Sequence, residues 1–432
     1  MISTEALIAL AKIGLAFTVM LIAIRRRVVL WAAILLGGIA LSLLFGLSPV
    51  EIGSVLATAL SQANFVILFL VVFCIMCLSE VQAATGQGRR LVSGLAPYMR
   101  STRLRLAFFP ALVGLLPMPG GAVFSCPMIK DVSASLDMSE RHKVLINYWF
   151  RHIWESAWPL YPGYILVCSL ADIPPSLLWH YTFPFVFIAT FAGWFFLLKK
   201  PITIQAGTDD AISEKRPLRA VALEGLPIFV AIGGALVIDF SAPALGISLP
   251  NGGSFIISFI AATAVAMVQN KMSPAALCKL VFRPHVGKML ALVAVVFIFK
   301  EQVIATKLVN LLATTLSGKA AILLLFFFIP VLMGILTGIM LGFVGAAFPL
   351  LIALLGQTGS YDERLIYVMV GLAAGHFGQM LSPMHACYLV TLEFFKVPLS
   401  HTWYVIFKTS LLYIILTLAY IAALYYVIHP VL

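Results

Sequence analysis

Apolar residues run through this chain in blocks about as long as a bilayer is thick, and polar residues gather between the blocks instead of alternating with them. A membrane-spanning helix needs about 20 such residues at a rise of about 1.5 Å each. Blocks of that kind lie at 6–24, 28–46, 63–84, 144–171, 177–198, 218–240, 254–269, 288–313, 365–394 and 402–428, and each predicts a transmembrane helix. Two are interrupted, 144–171 at Pro159 and Pro162 and 365–394 at Pro383. Two further apolar regions break near their middles. "LRLAFFPALVGLLPMPGGAVFSCPMI", starting at Leu104, is cut by Pro117, Pro119, Gly120 and Gly121 into pieces of about half a membrane thickness, which predicts a re-entrant hairpin over about 104–133. Residues 320–355 break at Thr337-Gly338 and Gly342, and read as a second hairpin or as two full spans.

The blocks repeat. "FPALVGLL" at 109–116 matches "IPVLMGIL" at 329–336, so Pro110 corresponds to Pro330 and Gly114 to Gly334. Ahead of them, Glu80 to Thr85 matches Glu301 to Thr306; after them, Glu140-Arg141 matches Glu363-Arg364, and His152 with Pro159 matches His376 with Pro383. Landmarks that keep their order define two halves, 1–198 and 218–432, joined by a polar cytoplasmic linker at 199–217. Each half holds about five spans and one hairpin, an odd number of crossings, so the second half is inverted relative to the first. The expected fold is an all-α polytopic membrane protein of two inverted-topology repeats, an arrangement found in secondary transporters.

Composition fixes the solvent. With 62% hydrophobic and 10% charged residues and a mean hydropathy of +1.06, 432 residues have too little polar surface to cover a soluble globule. The net charge of +11 does not point to nucleic acid, because the basic residues sit singly or in short clusters between apolar blocks. With the amino terminus outside, most of the 28 Lys and Arg fall in inside loops, and only Lys307, Lys319 and Arg364 fall outside, as the positive-inside rule requires. Glu5 before the first block and Arg25 to Arg27 after it reverse the order of a cleavable signal. A multi-pass protein of a prokaryotic inner membrane, with both termini outside, is expected. The six cysteines fall mostly inside apolar stretches and read as buried small hydrophobes; Cys74 and Cys77 lack a second pair, and neither metal nor cofactor is expected.

The chemistry concentrates at the breaks. A broken helix at membrane depth frees backbone groups that cost several kcal/mol each unless something satisfies them. The first tip offers the amides of Gly120, Gly121 and Ala122 at a helix start, suited to an anion, with the Ser125 hydroxyl one turn on. The second offers Thr337 and Gly338. The plainer reading of these glycines is close helix packing. In "NYWFRHIWESAWPLYPG", residues 147–163, Arg151 and Glu155 bring charge to bilayer depth, at a cost of at least about 2.5–3.5 kcal/mol each. Helical spacing would let them neutralise one another. The repeat puts Gly375 and Gln379 at their places, so the element itself does not require the charges. Arg151 is therefore the candidate anion ligand, and Glu155 a coupling group or the partner of Arg151. His152 and His376, present in both halves, read as a scaffold bond or as paired polar contacts, and His385 as a weaker substrate contact. Glu80 and Glu301 read as scaffold acceptors for the hairpins or as coupling carboxylates.

"LLPMPGGAVFSCPM", "NYWFRHIWESAWPLYPG" and "GHFGQMLSPMHACYLV" resemble an uncharacterised family of prokaryotic integral-membrane proteins grouped with the ion-transporter superfamily, over nearly the whole chain. Relatives there include gluconate, lactate, dicarboxylate and citrate permeases, sodium/proton antiporters and arsenite pumps. The resemblance implies an elevator-type homodimer, with Pro117 to Pro127, Thr337 to Pro349 and the broken segments after His152 (about 144–171) and His376 (about 365–394) in the moving domain. It departs from the dicarboxylate branch, whose tips carry Asn, since neither tip here does.

The leading expectation is a symporter of a small carboxylate-like anion, coupled to protons or sodium. A cation/proton antiporter titrating Glu80, Glu155 and Glu301 is the alternative, and an intramembrane metalloenzyme using His152, Glu155, His376 and His385 a third. The third lacks an HExxH pattern.

Overall fold

Inside a bilayer a chain has no water to take its backbone polar groups, so apolar blocks of this length resolve as helices. A computed structural model of the protein describes residues 4–99, 101–115, 121–134, 136–199, 217–247, 249–250, 252–307, 318–355 and 361–428. Every regular element among them is helical. The first half holds α1 (Thr4–Arg25), α2 (Leu30–Leu44), α3 (Pro49–Ser61), α4 (Ala63–Thr85), α5 (Gln87–Leu95), α6 (Thr102–Gly114), α7 (Ala122–Val132), α8 (Glu140–Arg151), α9 (Pro162–Ala171), α10 (Pro175–Thr182) and α11 (Pro184–Gly193). The second holds α12 (Leu218–Ser241), α13 (Gly253–Gln269), α14 (Pro274–Val281), α15 (Pro284–Ala305), α16 (Lys319–Thr337), α17 (Met340–Leu355), α18 (Tyr361–Leu381), α19 (Ala386–Phe395) and α20 (Leu399–Ile428). Most of the expected linker, residues 200–216, lies outside the described residues, as does the tip 116–120 with Gly120.

Among the described residues, six helical stretches are long and apolar enough to span a membrane: Ala63–Thr85, Pro175–Leu198, Leu218–Ser241, Lys319–Thr337, Asp362–Phe395 and Leu399–Tyr426. The protein is a multi-pass membrane protein. Several expected spans are shorter helices, among them α2, α9, α13 and α17. The loop expected between 46 and 63 contains α3, started by Ser48, whose side chain accepts from the Glu51 amide while the Glu51 carboxylate takes the Ser48 amide.

The interrupted block 144–171 breaks earlier than its prolines imply. α8 ends at Arg151, because the His152 ring donates through Nδ1 to the Tyr148 carbonyl at 2.6 Å, a carbonyl that a continuing helix would give to a backbone amide. The chain then turns irregularly until Pro162 opens α9. Three of its side chains bond backbone carbonyls at the end of α6: Trp154 Nε1 donates to the Ala111 carbonyl at 2.9 Å, Trp158 Nε1 to Leu115 at 3.1 Å and the Tyr161 hydroxyl to Gly114 at 2.5 Å. These carbonyls lie at the carboxyl end of α6, where a helix runs out of intrahelical donors; the Ala111 carbonyl also takes the Leu115 amide at 3.1 Å. The second block runs on as α18 to Leu381 before breaking at 382–385.

Matching positions of the two blocks make matching contacts. A Cβ at Gly114 would strike the Arg151 carbonyl, and one at Gly334 the Gly375 carbonyl. Ser382 Oγ donates to the Ile335 carbonyl where Trp158 donates to Leu115. Tyr164 hydrogen-bonds Thr182 at 2.8 Å, and Tyr388 hydrogen-bonds Thr402 at 2.7 Å. α9 ends on left-handed Asp172 (φ 52°), α19 on left-handed Lys396 (φ 55°). The second pieces also pack crosswise: α9 lies against α17 and α7 against α19.

Candidate functional site

Both breaks and both tips converge through side chains. Arg151, at the last turn of α8, is 3% exposed, and its Nη1 donates to Cys387 Sγ at 2.9 Å and lies 3.2 Å from His152 Nε2. His152 Nε2 is 3.1 Å from His385 Nε2, and the other nitrogen of His385 is 3.1 Å from the Tyr148 hydroxyl. Gly121, which begins α7, faces the guanidinium so closely that a Cβ there would collide with it. Gly338, left-handed at φ 65° and closing α16, faces the backbone amide of His385 and Ser382 Oγ in the same way. Gly121, Arg151, His152, His385 and Gly338 thus form one continuous chain of contacts from the first tip to the second. Tyr148, stacked on Tyr388 with ring centroids 4.1 Å apart, locks α8 to α19 beneath it.

Glu155 departs from the sequence expectation. Because α8 stops at Arg151, Glu155 is no longer one helical turn from the arginine on a common face; its Oε2 accepts from Gln379 Nε2, and Oε1 lies 3.8 Å from His152 Nε2. Gln379 is the residue that stands in the place of Glu155 in the second block, so the two equivalent positions meet each other. His152 and His376, at matching positions of the two blocks, make different contacts. His152 meets His385, whereas His376 sits inside α18 with its ring against Tyr413 at 5.4 Å, and Tyr413 in turn hydrogen-bonds Ser156 at 3.0 Å.

At the first tip, Ala122 and Ser125 are fully buried, and the Ser125 amide bonds the Gly121 carbonyl at 3.0 Å. As at any helix start, the first-turn amides of Ala122 and Val123 have no partner within the helix. At the second tip the Thr337 hydroxyl is taken by the Met333 carbonyl at 2.8 Å. Glu80 lies elsewhere: buried on α4, it accepts from Arg283 Nη1 at 3.1 Å and sits 2.6 Å from His285 Nε2, so its partners come from the start of α15 and not from a hairpin. Glu301 is half-buried on α15, 3.9 Å from Lys300 Nζ.

Three contributors have no role in the sequence reading: Cys387, read with the other cysteines as a buried small hydrophobe, Tyr148, and Asn147, whose Nδ2 donates to Cys126 Sγ and Thr391 Oγ1 at 3.2 Å each. The available signal was position: Cys387 lies two residues past His385 at the second break.

Residues 9–428 match the model of a family described as "Protein of unknown function (DUF401)". The chain belongs to this family. No curated protein matches it. Among solved structures, the fold is similar to that of the YdaH transporter of Alcanivorax borkumensis, reported as having an unusual topology, with a TM-score of 0.65 at 16% identity over 88% of this chain and 90% of that one. The family's fold is therefore of a kind seen in a membrane transporter.

Proposed function

We propose that the protein is a secondary active transporter of a small organic anion of the carboxylate class. Two inverted repeats would give two nearly equivalent states, one open to each side, with the hairpins and broken helices moving as an elevator against the remaining helices of a homodimer in a prokaryotic inner membrane. The matched contacts of the two broken blocks and their crosswise packing support that reading. The observation that carries it is Arg151: a buried guanidinium held between the two tips, packed against Gly121 at the start of α7. A planar fork of donors next to a helix start suits a carboxylate. On substrate entry the guanidinium exchanges Cys387 and His152 for the anion.

Glu155 favours the coupling role within this scheme, since it lies 3.8 Å from His152 Nε2 and bonds across to Gln379 of the other block. The same contact favours, as a second reading, a cation/proton antiporter in which Arg151 is structural. Uptake of labelled mono-, di- and hydroxycarboxylates into proteoliposomes, under imposed proton or sodium gradients, separates the two. Gradient-driven accumulation of one anion class is the expected result. Cation exchange that proceeds without any anion, and no anion uptake, would replace this reading with the antiporter.

A further inference from the structure

We infer that the junction of the two breaks is also a metal-binding site, made by His152 Nε2, His385 Nε2 and Cys387 Sγ and suited to a borderline divalent ion such as Zn2+. One ligand atom from each of the three residues lies within 4.8 Å of the other two, and the residues approach through different breaks. The tautomer of His152 is fixed by its neighbour: a carbonyl only accepts, so Nδ1 carries the proton that bonds Tyr148 O at 2.6 Å, and Nε2 is left with a bare lone pair. A backbone carbonyl on the far ring nitrogen is the support that metal-ligating histidines use. His385 Nε2 stands 3.1 Å from that lone pair. Two imidazoles on one tetrahedral ion, with bonds of about 2.0–2.1 Å, place their nitrogens about 3.3 Å apart. The thiol completes a donor set of two nitrogens and a sulfur, which selects zinc-like ions over magnesium or calcium. Three protein ligands leave a fourth tetrahedral position for water or a substrate oxygen.

Arg151 occupies this centre here. Its Nη1 sits 2.9 Å from Cys387 Sγ and 3.2 Å from His152 Nε2, a tethered cation serving two of the three donors. An ion taking these donors displaces Nη1. The site does not depend on the transport reading, because binding is measured without transport.

The test is titration of the purified, reduced protein with Co2+ in detergent, followed by absorption. Expected are saturation at one ion per chain, a thiolate-to-cobalt charge-transfer band, tetrahedral d–d bands, and bleaching on addition of Zn2+. Cys387→Ser should lose the charge-transfer band, His385→Ala should weaken binding by at least about tenfold, and Arg151→Ala should bind more tightly, having lost the competing cation. Cys126→Ser, whose thiol faces Asn147 and Thr391, is the control and should keep the band. No saturable binding in the wild type, or a band that survives in Cys387→Ser, overturns the site; if Cys387→Ser does not fold, undiminished Co2+ affinity in His385→Ala overturns it.

Discussion

The two broken helices share a frame and differ in content. In the first, α8 stops at Arg151 and ten residues unwind before Pro162; in the second, α18 continues past the matching Gly375 and His376 to Leu381 and only a short turn separates it from α19. The contacts that hold each block against α6 or α16 are nevertheless placed alike, glycine on carbonyl and side-chain donor on helix-end carbonyl. What differs is what sits inside the frame. The longer unwound stretch carries His152 and Glu155, with Arg151 on the last turn of α8 just ahead of it, and three aromatic donors bond the carbonyls of α6 beside it. Duplicated geometry thus fixes the packing, and departure from duplication marks the chemistry.

The two tips offer the strongest way to break this comparison. Gly338→Ala should cost several kcal/mol of stability, because a left-handed alanine loses about 1–2 kcal/mol and overpacking against the His385 backbone about 1–3 more. The effect would appear as a large drop in the detergent melting temperature. Gly121 has an ordinary helical φ of −54°, and the atoms nearest to a Cβ there belong to the guanidinium of a flexible side chain, Arg151, not to backbone. It should melt near the wild-type temperature while anion uptake falls at least about tenfold, the equivalent of one lost charge-assisted bond. Equal melting losses in both variants would erase the distinction between a packing tip and a binding tip.

Smaller effects sharpen the shared frame. Gly114→Ala and Gly334→Ala each push a methyl into a carbonyl of the broken helix, and both should destabilise by about 1–3 kcal/mol; calorimetry showing a loss in one alone would argue against equivalent packing. Glu80→Gln weakens an ion pair whose partners, Arg283 and His285, are half-exposed or nearly so, which predicts a loss of about 1 kcal/mol and an unchanged half-saturating anion concentration. A shifted half-saturation would restore Glu80 as a coupling group. Tyr164→Phe and Tyr388→Phe remove matched hydrogen bonds to Thr182 and Thr402 and should each cost about 0.5–1.5 kcal/mol with transport intact.

Much of the fold was legible because bilayer physics is simple: block length gave the helices, and Pro and Gly gave the interruptions. The interruption read at Pro159 and Pro162 lies within the break, but the break begins earlier, where the His152 ring takes a helix carbonyl and no breaker residue marks it. α3 was missed since 13 residues fall short of a span, although Ser48-Pro49 with Glu51 is a readable helix start. Arg151 was legible as a charge at membrane depth with no counterpart in the repeat. Its partners were not: the Cys387 and His385 contacts link positions more than two hundred residues apart, and of the two readings of Glu155, coupling group or partner of Arg151, the second assumed a helical register that the fold does not keep. Tertiary contacts across two breaks leave no periodic trace in a single sequence.

The central claim, that Arg151 is the anion ligand of a transporter, is tested most directly by anion-evoked charge movement in proteoliposomes on a solid-supported membrane, comparing wild type, Arg151→Ala and His376→Ala. The account predicts currents for one carboxylate class in the wild type and in His376→Ala, and none in a folded Arg151→Ala. Undiminished currents in Arg151→Ala would contradict it.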